Sequence, residues 1–400
     1  MLSSWSLHLV PERRPPGRSS VRSPRCRIRG PAPSSPPGKL SAMTASLHTA
    51  QEGCLLLADI TGYTAYLQGT ELEHAQDVLA DLLETIIAGV EPPFEVLKLE
   101  GDAVFAHMPV AEVDPPLLFD TVEATYFAFR RRLRDVVHGT TCDCNACVLI
   151  PSLDLKFFVH SGSYVSRRIG RTEELTGGDV VLIHRLLKGT ASDRVGNDAY
   201  LVLTKAALDS VGGDAEALGL TEHVERLDVG DTVVFIENLR DRWEEEESRS
   251  HESVSPETAV GSLVWGPFPV SPRELWPWFT DPRRRLEWQD DLTGIDEFVD
   301  GRRGVGSVNH CAHGGSVTIQ RVVDWSPFTS FTTRDEPDDA DFVLTNTTVF
   351  TLDGGHTNVT SYFLCEPEEA WPQVRAQLSE AFESGHRRLA ALLATHTDRR

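Results

Sequence analysis

Apolar positions along this chain fall into strand and helix rhythms that can be followed from one segment to the next. Residues 54–59 are a short apolar run ending at Asp59, the length of a buried strand. In 70-TELEHAQDVLADLLETIIAG-89, Leu72, Ala75, Leu79, Leu82 and Ile86 recur at helical spacing, and Gly89 marks the end. Residues 94–99 and 103–108 predict two strands joined by the turn Glu100–Gly101–Asp102, a hairpin signal. A helix follows over about 117–137, a strand over 153–162, a short helix from Gly178, and strands near 199–203 and 232–237. That order predicts an α+β plait over residues 50–237, one sheet with helices on one face.

The pattern restarts after a break. Residues 239-LRDRWEEEESRSHESVSPET-258 are charged, rich in Ser and Glu, and carry a late proline, so 238–259 reads as a linker. Beyond it, 262–268 is a strand, and 271–288 opens with Ser271 as N-cap and Pro272 at the first helical position. Strands are expected over 304–310, 316–323, 328–333, 342–351 and 357–364, and a long helix over about 368–394. A mostly antiparallel sheet closed by a long helix leaves a cavity between them, and this second domain spans 260–396.

Composition changes the picture at the N-terminus. The net charge is −22, yet residues 1–50 carry eight Lys and Arg against Glu12, so the rest of the chain is strongly acidic. An acidic body argues against nucleic acid as a partner. Residues 1–48, with 31-PAPSSPP-37, read as a disordered basic tail, either dispensable or upstream of a start at Met43. No apolar run is long enough to span a membrane. Seven cysteines, three of them clustered, do not form a disulfide framework, and a reducing cytoplasmic location is expected.

Two constellations carry candidate chemistry in the first domain. Asp59 and Asp102 stand at the ends of strands that could be neighbours. With the carbonyl of Ile60 they would make a hard-oxygen site for Mg²⁺ or Mn²⁺. Taken alone, Asp59 as a cap and Asp102 as a turn residue is the plainer account. The second constellation is 138-HGTTCDCNAC-147. Here His138, Cys142, Cys144 and Cys147 offer four ligands in ten residues, a set that could close one structural zinc or be a loop with reduced thiols.

The local sequence around the aspartates adds a resemblance. 58-ADITGYTAYL-67 resembles the first metal motif of class III nucleotidyl cyclases, and 98-KLEGDAVFA-106 their second. 159-VHSGSYV-165 is similar to the family strand that ends in a glycine turn. 174-ELTGGDVVLIHRL-186 is similar to the family segment carrying Asn and Arg. The resemblance spans about residues 52–210. It implies a ferredoxin-like cyclase plait in which Asp59 and Asp102 hold two metal ions and Lys98 and Glu174 read the purine base. It further implies that Arg185 stabilises the transition state and that a head-to-tail homodimer completes each site. The substrate would be a purine nucleoside triphosphate, with adenine favoured by Lys98 and Glu174. One position departs: the family asparagine that orients the ribose falls on Val181, which cannot hydrogen-bond a sugar.

The second domain is aromatic, with Trp265, Phe268, Trp276, Trp278, Phe279, Trp288, Trp325, Phe328, Phe331, Phe342 and Phe350. Its layout is similar to the START-like (SRPBCC, polyketide cyclase-related) helix-grip fold, which implies a hydrophobic small molecule or lipid in the cavity under the helix. The aromatics serve equally well as a filled core. His310 and His313 read as ordinary strand-end residues. The combined expectation is a divergent cyclase-like signalling protein tuned by that ligand. The alternative is an inactive sensor or carrier that keeps the cyclase plait as a dimerisation module.

Overall fold

The apolar run around Leu55–Leu57 is the centre of a long strand, β1 (Gln51–Thr61). The computed structural model describes residues 49–70, 72–109, 115–139, 145–170, 172–299 and 302–397. The basic segment 1–48 and most of the cysteine cluster lie outside them. After β1 come α1 (Tyr63–Gly69), α2 (Leu72–Val90), β2 (Glu95–Glu100), β3 (Ala103–Pro109), α3 (Pro115–Gly139) and α4 (Asn145–Leu149). Then follow β4 (Asp154–Ile169), β5 (Thr172–Thr176), α5 (Gly178–Leu186), α6 (Ala191–Val195), β6 (Tyr200–Thr204), α7 (Lys205–Ser210), β7 (Thr221–Leu227), β8 (Gly230–Asn238) and α8 (Leu239–Ser248).

These strands form one sheet in the order β2-β3-β1-β4-β6-β8-β7, with β5 paired to the far end of β4. The β4–β6 pairing is parallel and the others are antiparallel. β1 is apolar on successive residues because both of its faces are covered. Leu56 and Ala58 pack into a core with α2 and α3. Leu55 and Leu57 face the other way, against Phe105 and the α5 residues Ile183 and Leu186. The expectation of helices on one face is therefore corrected: α5 and α6 occupy the second face.

The second half contains β9 (Gly261–Phe268), α9 (Pro272–Thr280), α10 (Pro282–Trp288), β10 (Gly294–Phe298), β11 (Val308–His313), β12 (Ser316–Ser326), β13 (Ser330–Pro337), β14 (Val343–Asp353), β15 (His356–Glu366) and α11 (Trp371–Thr397). Its sheet is antiparallel throughout, in the order β10-β11-β12-β13-β14-β15-β9. Ser271 caps α9 in a full capping box with Glu274. The helical stretch 271–288 breaks in two at Asp281, which sits in extended backbone before Pro282 and caps α10 through the Arg283 amide. Leu389 and Leu393 of α11 close the aromatic core around Trp265, Trp276 and Trp288.

Three strands escape the sequence pattern: β5, β7 and β10. β7 and β10 end their sheets and β5 hangs off β4. TEHVERL carries charge where a central strand would be apolar, because Glu222 and Arg226 face water at the edge, while the buried Glu225 accepts from the Thr190 amide. The strand expected over 304–310 begins later, as β11.

The segment read as a linker is half helix. Asn238 caps α8 by accepting from the amides of Arg240 and Asp241, and Trp243 packs on Phe127 of α3 with ring centres 5.4 Å apart. Further on, the Val254 amide donates to Thr347 of the second sheet at 2.7 Å. The α3 helix reaches into the second core as well. Leu117 joins that core, and Asp120 accepts from the indoles of Trp276 (3.0 Å) and Trp325 (3.1 Å). The described residues cluster as one compact unit.

Candidate functional site

Antiparallel pairing brings Asp59 and Asp102 to one edge of the first sheet. Asp59 lies opposite Ala103 in the β1–β3 register, so Asp102 is one residue away, and the Ile60 amide donates to the Asp102 carbonyl at 3.3 Å. Burial and the neighbouring Asp59 charge push the Asp102 carboxyl above its usual range. The other neighbour of Asp59 is Lys156 on β4, directly across the β1–β4 register, with Nζ 3.1 Å from Oδ2. Sequence reasoning missed Lys156. The signal was available in the strand pattern, since one polar residue interrupts the apolar run 155–159.

This donor set fits a divalent ion only in part. Two converging carboxylates are the hard oxygen ligands that Mg²⁺ or Mn²⁺ takes, and such ions complete their shell with water and phosphate oxygens. Lys156 already neutralises Asp59, so an ion has to displace its ammonium. Among the described residues no group of three or more His, Cys, Asp and Glu is arranged to hold a metal.

A second cluster forms around Lys98. The β2 strand presents Lys98 beside β5, and its Nζ lies 3.0 Å from Glu174 and 3.0 Å from Glu100. Glu100 in turn lies 2.8 Å from His184 on α5. Burial works against the Lys98 ammonium, but the two carboxylates outweigh it and hold its pKa above the ordinary lysine value. Lys98 and Glu174 are 76 residues apart in sequence, and β5 is what carries Glu174 to the site. Glu100 and His184 were not singled out in the sequence.

The α5 helix places the remaining candidates elsewhere. Val181 is 47% exposed. Arg185 pairs with Asp228 at 3.3 Å, both partly exposed, and no described contact joins it to Lys98 or to the aspartates. Asp179 is held at the start of α5 by the Ser163 amide (2.7 Å) and by His160 (3.2 Å), which keep its carboxyl below the usual range in spite of burial.

Of the four candidate zinc ligands, Cys142 and Cys144 lie outside the described residues. His138 is exposed in the last turn of α3, and Cys147 sits on α4. In the second half, a cavity of about 960 Å³ opens between α11 and the sheet, with Trp265, Phe279, Trp288 and Phe382 in its lining. His313 pairs with Asp291 at 3.1 Å, both in the lining of this cavity, and His310 packs at a tilt against Phe298 with ring centres 4.7 Å apart.

Residues 79–194 match a family described as a protein of unknown function (DUF2652). The uncharacterized protein Rv2561/Rv2562 of Mycobacterium tuberculosis is 33% identical over 126 residues, covering 32% of this chain and 57% of that protein. The chain thus spans a little over half the length of this curated relative. Among solved structures, a bacterial light-regulated adenylyl cyclase is similar over 47% of this chain and 51% of its own, at 16% identity and a TM-score of 0.37. The guanylyl cyclase Cya2 is similar over 47% and 92%, at 14% identity and a TM-score of 0.36. The adenylyl cyclase CyaB from P. aeruginosa is similar over 48% and 95%, at 13% identity and a TM-score of 0.35. Among the described residues no helix is long and apolar enough to cross a membrane.

Proposed function

We propose that the first half binds a purine nucleoside triphosphate in the manner of a class III nucleotidyl cyclase, and that a ligand in the cavity of the second half tunes it. The observation that carries this reading is the meeting of Lys98 and Glu174 at 3.0 Å, a charged pair that can read a base edge. The convergence of Asp59 and Asp102 supports it. When bound with the triphosphate, Mg²⁺ or Mn²⁺ would supply positive charge to the phosphates, held by Asp59, Asp102 and the Ile60 carbonyl. Lys156 would contribute the same sign of charge beside them. Arg185 and Val181 sit on a partly exposed helix, so a second copy of the chain is the natural source of what each site lacks. The plait with its cavity domain would be a cyclase-like module joined to a START-like one.

A weak or absent cyclase reaction is the second reading, and two observations favour it. Val181 offers no hydrogen bond to a ribose, and a lost positioning group costs about a hundredfold in rate or more. Lys156 also competes for Asp59. The deciding experiment incubates purified protein with ATP or GTP and Mn²⁺, measures nucleotide binding and cyclic product together, and uses Asp59→Ala as control. Binding with a trace of product that the control abolishes supports a slow enzyme. Binding with no product leaves the sensor. No binding of either nucleotide removes both readings.

A further inference from the structure

Lys156 belongs to β4, which lies inside the first sheet between β1 and β6. Its neighbours along the strand, Leu155 and Phe157, are fully buried, so the backbone that carries it is fixed. The ammonium crosses to Asp59 Oδ2 at 3.1 Å, and the two side chains are 16% and 15% exposed. Among the described residues Asp59 is its one ion-pair partner. A cross-strand pair of opposite charge is by itself an ordinary stabilising contact. What sets this one apart is the carboxylate it occupies.

Two divalent ions about 3.5–4 Å apart need both oxygens of a bridging carboxylate, one for each ion. Here Oδ2 of Asp59 is already given to Lys156. The other oxygen of Asp59, together with Asp102, can still share a single ion. A second ion at Oδ2 would turn the ammonium out, and a largely enclosed ammonium with no counter-charge is strongly disfavoured. It would also set a double positive charge against a single one across a few ångströms. A chain with an apolar residue at this position on β4 would face neither penalty.

We infer that Lys156 takes the place of one of two divalent ions, so that the site binds a nucleoside triphosphate with a single ion shared by Asp59 and Asp102, and the Lys156 ammonium supplies the remaining positive charge to the phosphates. The inference rests on the first half binding a nucleoside triphosphate, and it adds the number of ions and the residue that sets it. An ammonium has three donors, and those not spent on Asp59 suit phosphate oxygens. Unlike a metal ion, it cannot acidify a hydroxyl by coordinating it. The exchange therefore keeps binding and gives up part of the activation of an attacking hydroxyl, in line with a slow or absent reaction.

The test uses the full chain with Mn²⁺ and α,β-methylene-ATP, whose bridging carbon blocks turnover, and counts ions per bound nucleotide by equilibrium dialysis. The unaltered chain should bind one ion per nucleotide. Lys156→Met should bind two, because Asp59 Oδ2 is freed, and Lys156→Gln gives the same count should the methionine variant not fold. Lys156→Arg, which keeps the charge, should stay at one. In EDTA, without divalent ion, the neutral variants should hold the nucleotide about tenfold more weakly than the unaltered chain, the worth of one charged hydrogen bond. Two ions on the unaltered chain overturn the inference and leave the nucleotide site standing. A count of one in the neutral variants does the same, as does an affinity in EDTA that is indifferent to Lys156. A chain that binds no nucleotide under either condition removes the nucleotide reading and this inference with it.

Discussion

The two halves of this molecule place polar chemistry in opposite settings. In the first, the candidate groups are charged pairs at the rim of a sheet: Lys98 with Glu174 and Glu100, Asp59 with Lys156, Arg185 with Asp228. Water reaches the Lys98–Glu174 and Arg185–Asp228 pairs, so they are worth little to stability and can open to admit a ligand, while Asp59 and Lys156 are more enclosed. In the second, polar atoms are set inside an aromatic core. Asp120 holds two indoles there, and Asp335 and Asn346 each keep an enclosed oxygen with no hydrogen-bond partner. A rim built of ion pairs can exchange partners at low cost, whereas an enclosed polar group commits the fold to one arrangement. Changes at the rim should therefore alter binding and rate, and changes in the aromatic half should alter stability.

The largest effect expected is at Trp276. Its ring meets Trp325, Phe328, Phe331 and Phe350, and its indole satisfies Asp120. Trp276→Ala should lower the free energy of unfolding by about 3–5 kcal/mol, read by chemical denaturation. A loss below about 1 kcal/mol would mean that the aromatic half is loosely packed, and the contrast with the rim would fail.

Next in size is the Val181→Asn exchange, which returns a hydrogen-bonding group to α5. Cyclic nucleotide formation should rise about a hundredfold, equivalent to about 2.7 kcal/mol of barrier, with thermal stability nearly unchanged because the position is exposed. An unchanged rate would shift the blame to Lys156.

Asp120 gives a prediction in pH. Burial pushes its carboxyl up to about 7, with the Trp325 and Trp276 indoles and Arg303 opposing and Glu123 reinforcing. Arg273, buried beneath Phe328 and itself held down to about 10, stays charged nearby. The folded state keeps a proton that the unfolded chain releases near pH 4. Stability should therefore fall as pH rises from about 4 to about 7, by up to about 1.4 kcal/mol per unit, and level off above. Asp120→Asn should flatten that slope in a series of melting curves. An identical slope would place the titration elsewhere, Asp335 being the next candidate.

The smallest structural effect should come from Lys98→Ala. Both partners are about a third exposed, so unfolding should change by less than about 1 kcal/mol. Nucleotide affinity should nevertheless fall about tenfold, measured by calorimetry. Equal affinity in the variant would detach the Lys98–Glu174 pair from base reading.

Much of this was legible in the sequence. The apolar run before Asp59, the helical spacing from Leu72 to Ile86 and the Ser271–Pro272 start each announce their element, because burial and capping act over a few neighbouring residues. β5 was not legible, since an edge strand reads as TEELT without apolar alternation, and only the family resemblance put Glu174 with Lys98. The segment 239–248 looked like a linker because only Leu239 and Trp243 among its charges signal a face.

The sequence by itself determined the central strands and long helices, the break between the two sheets and the residue types available at each strand end. Only the tertiary structure decided which of those residues meet. Strand order set Lys156 against Asp59, Glu174 against Lys98 and Gln320 beside Asp335, while Arg185 was carried off to Asp228. Local periodicity is fixed by the backbone's own 2- and 3.6-residue repeats. Partnership across a sheet depends on segments tens of residues apart, whose pairing is chosen by the burial of the whole core.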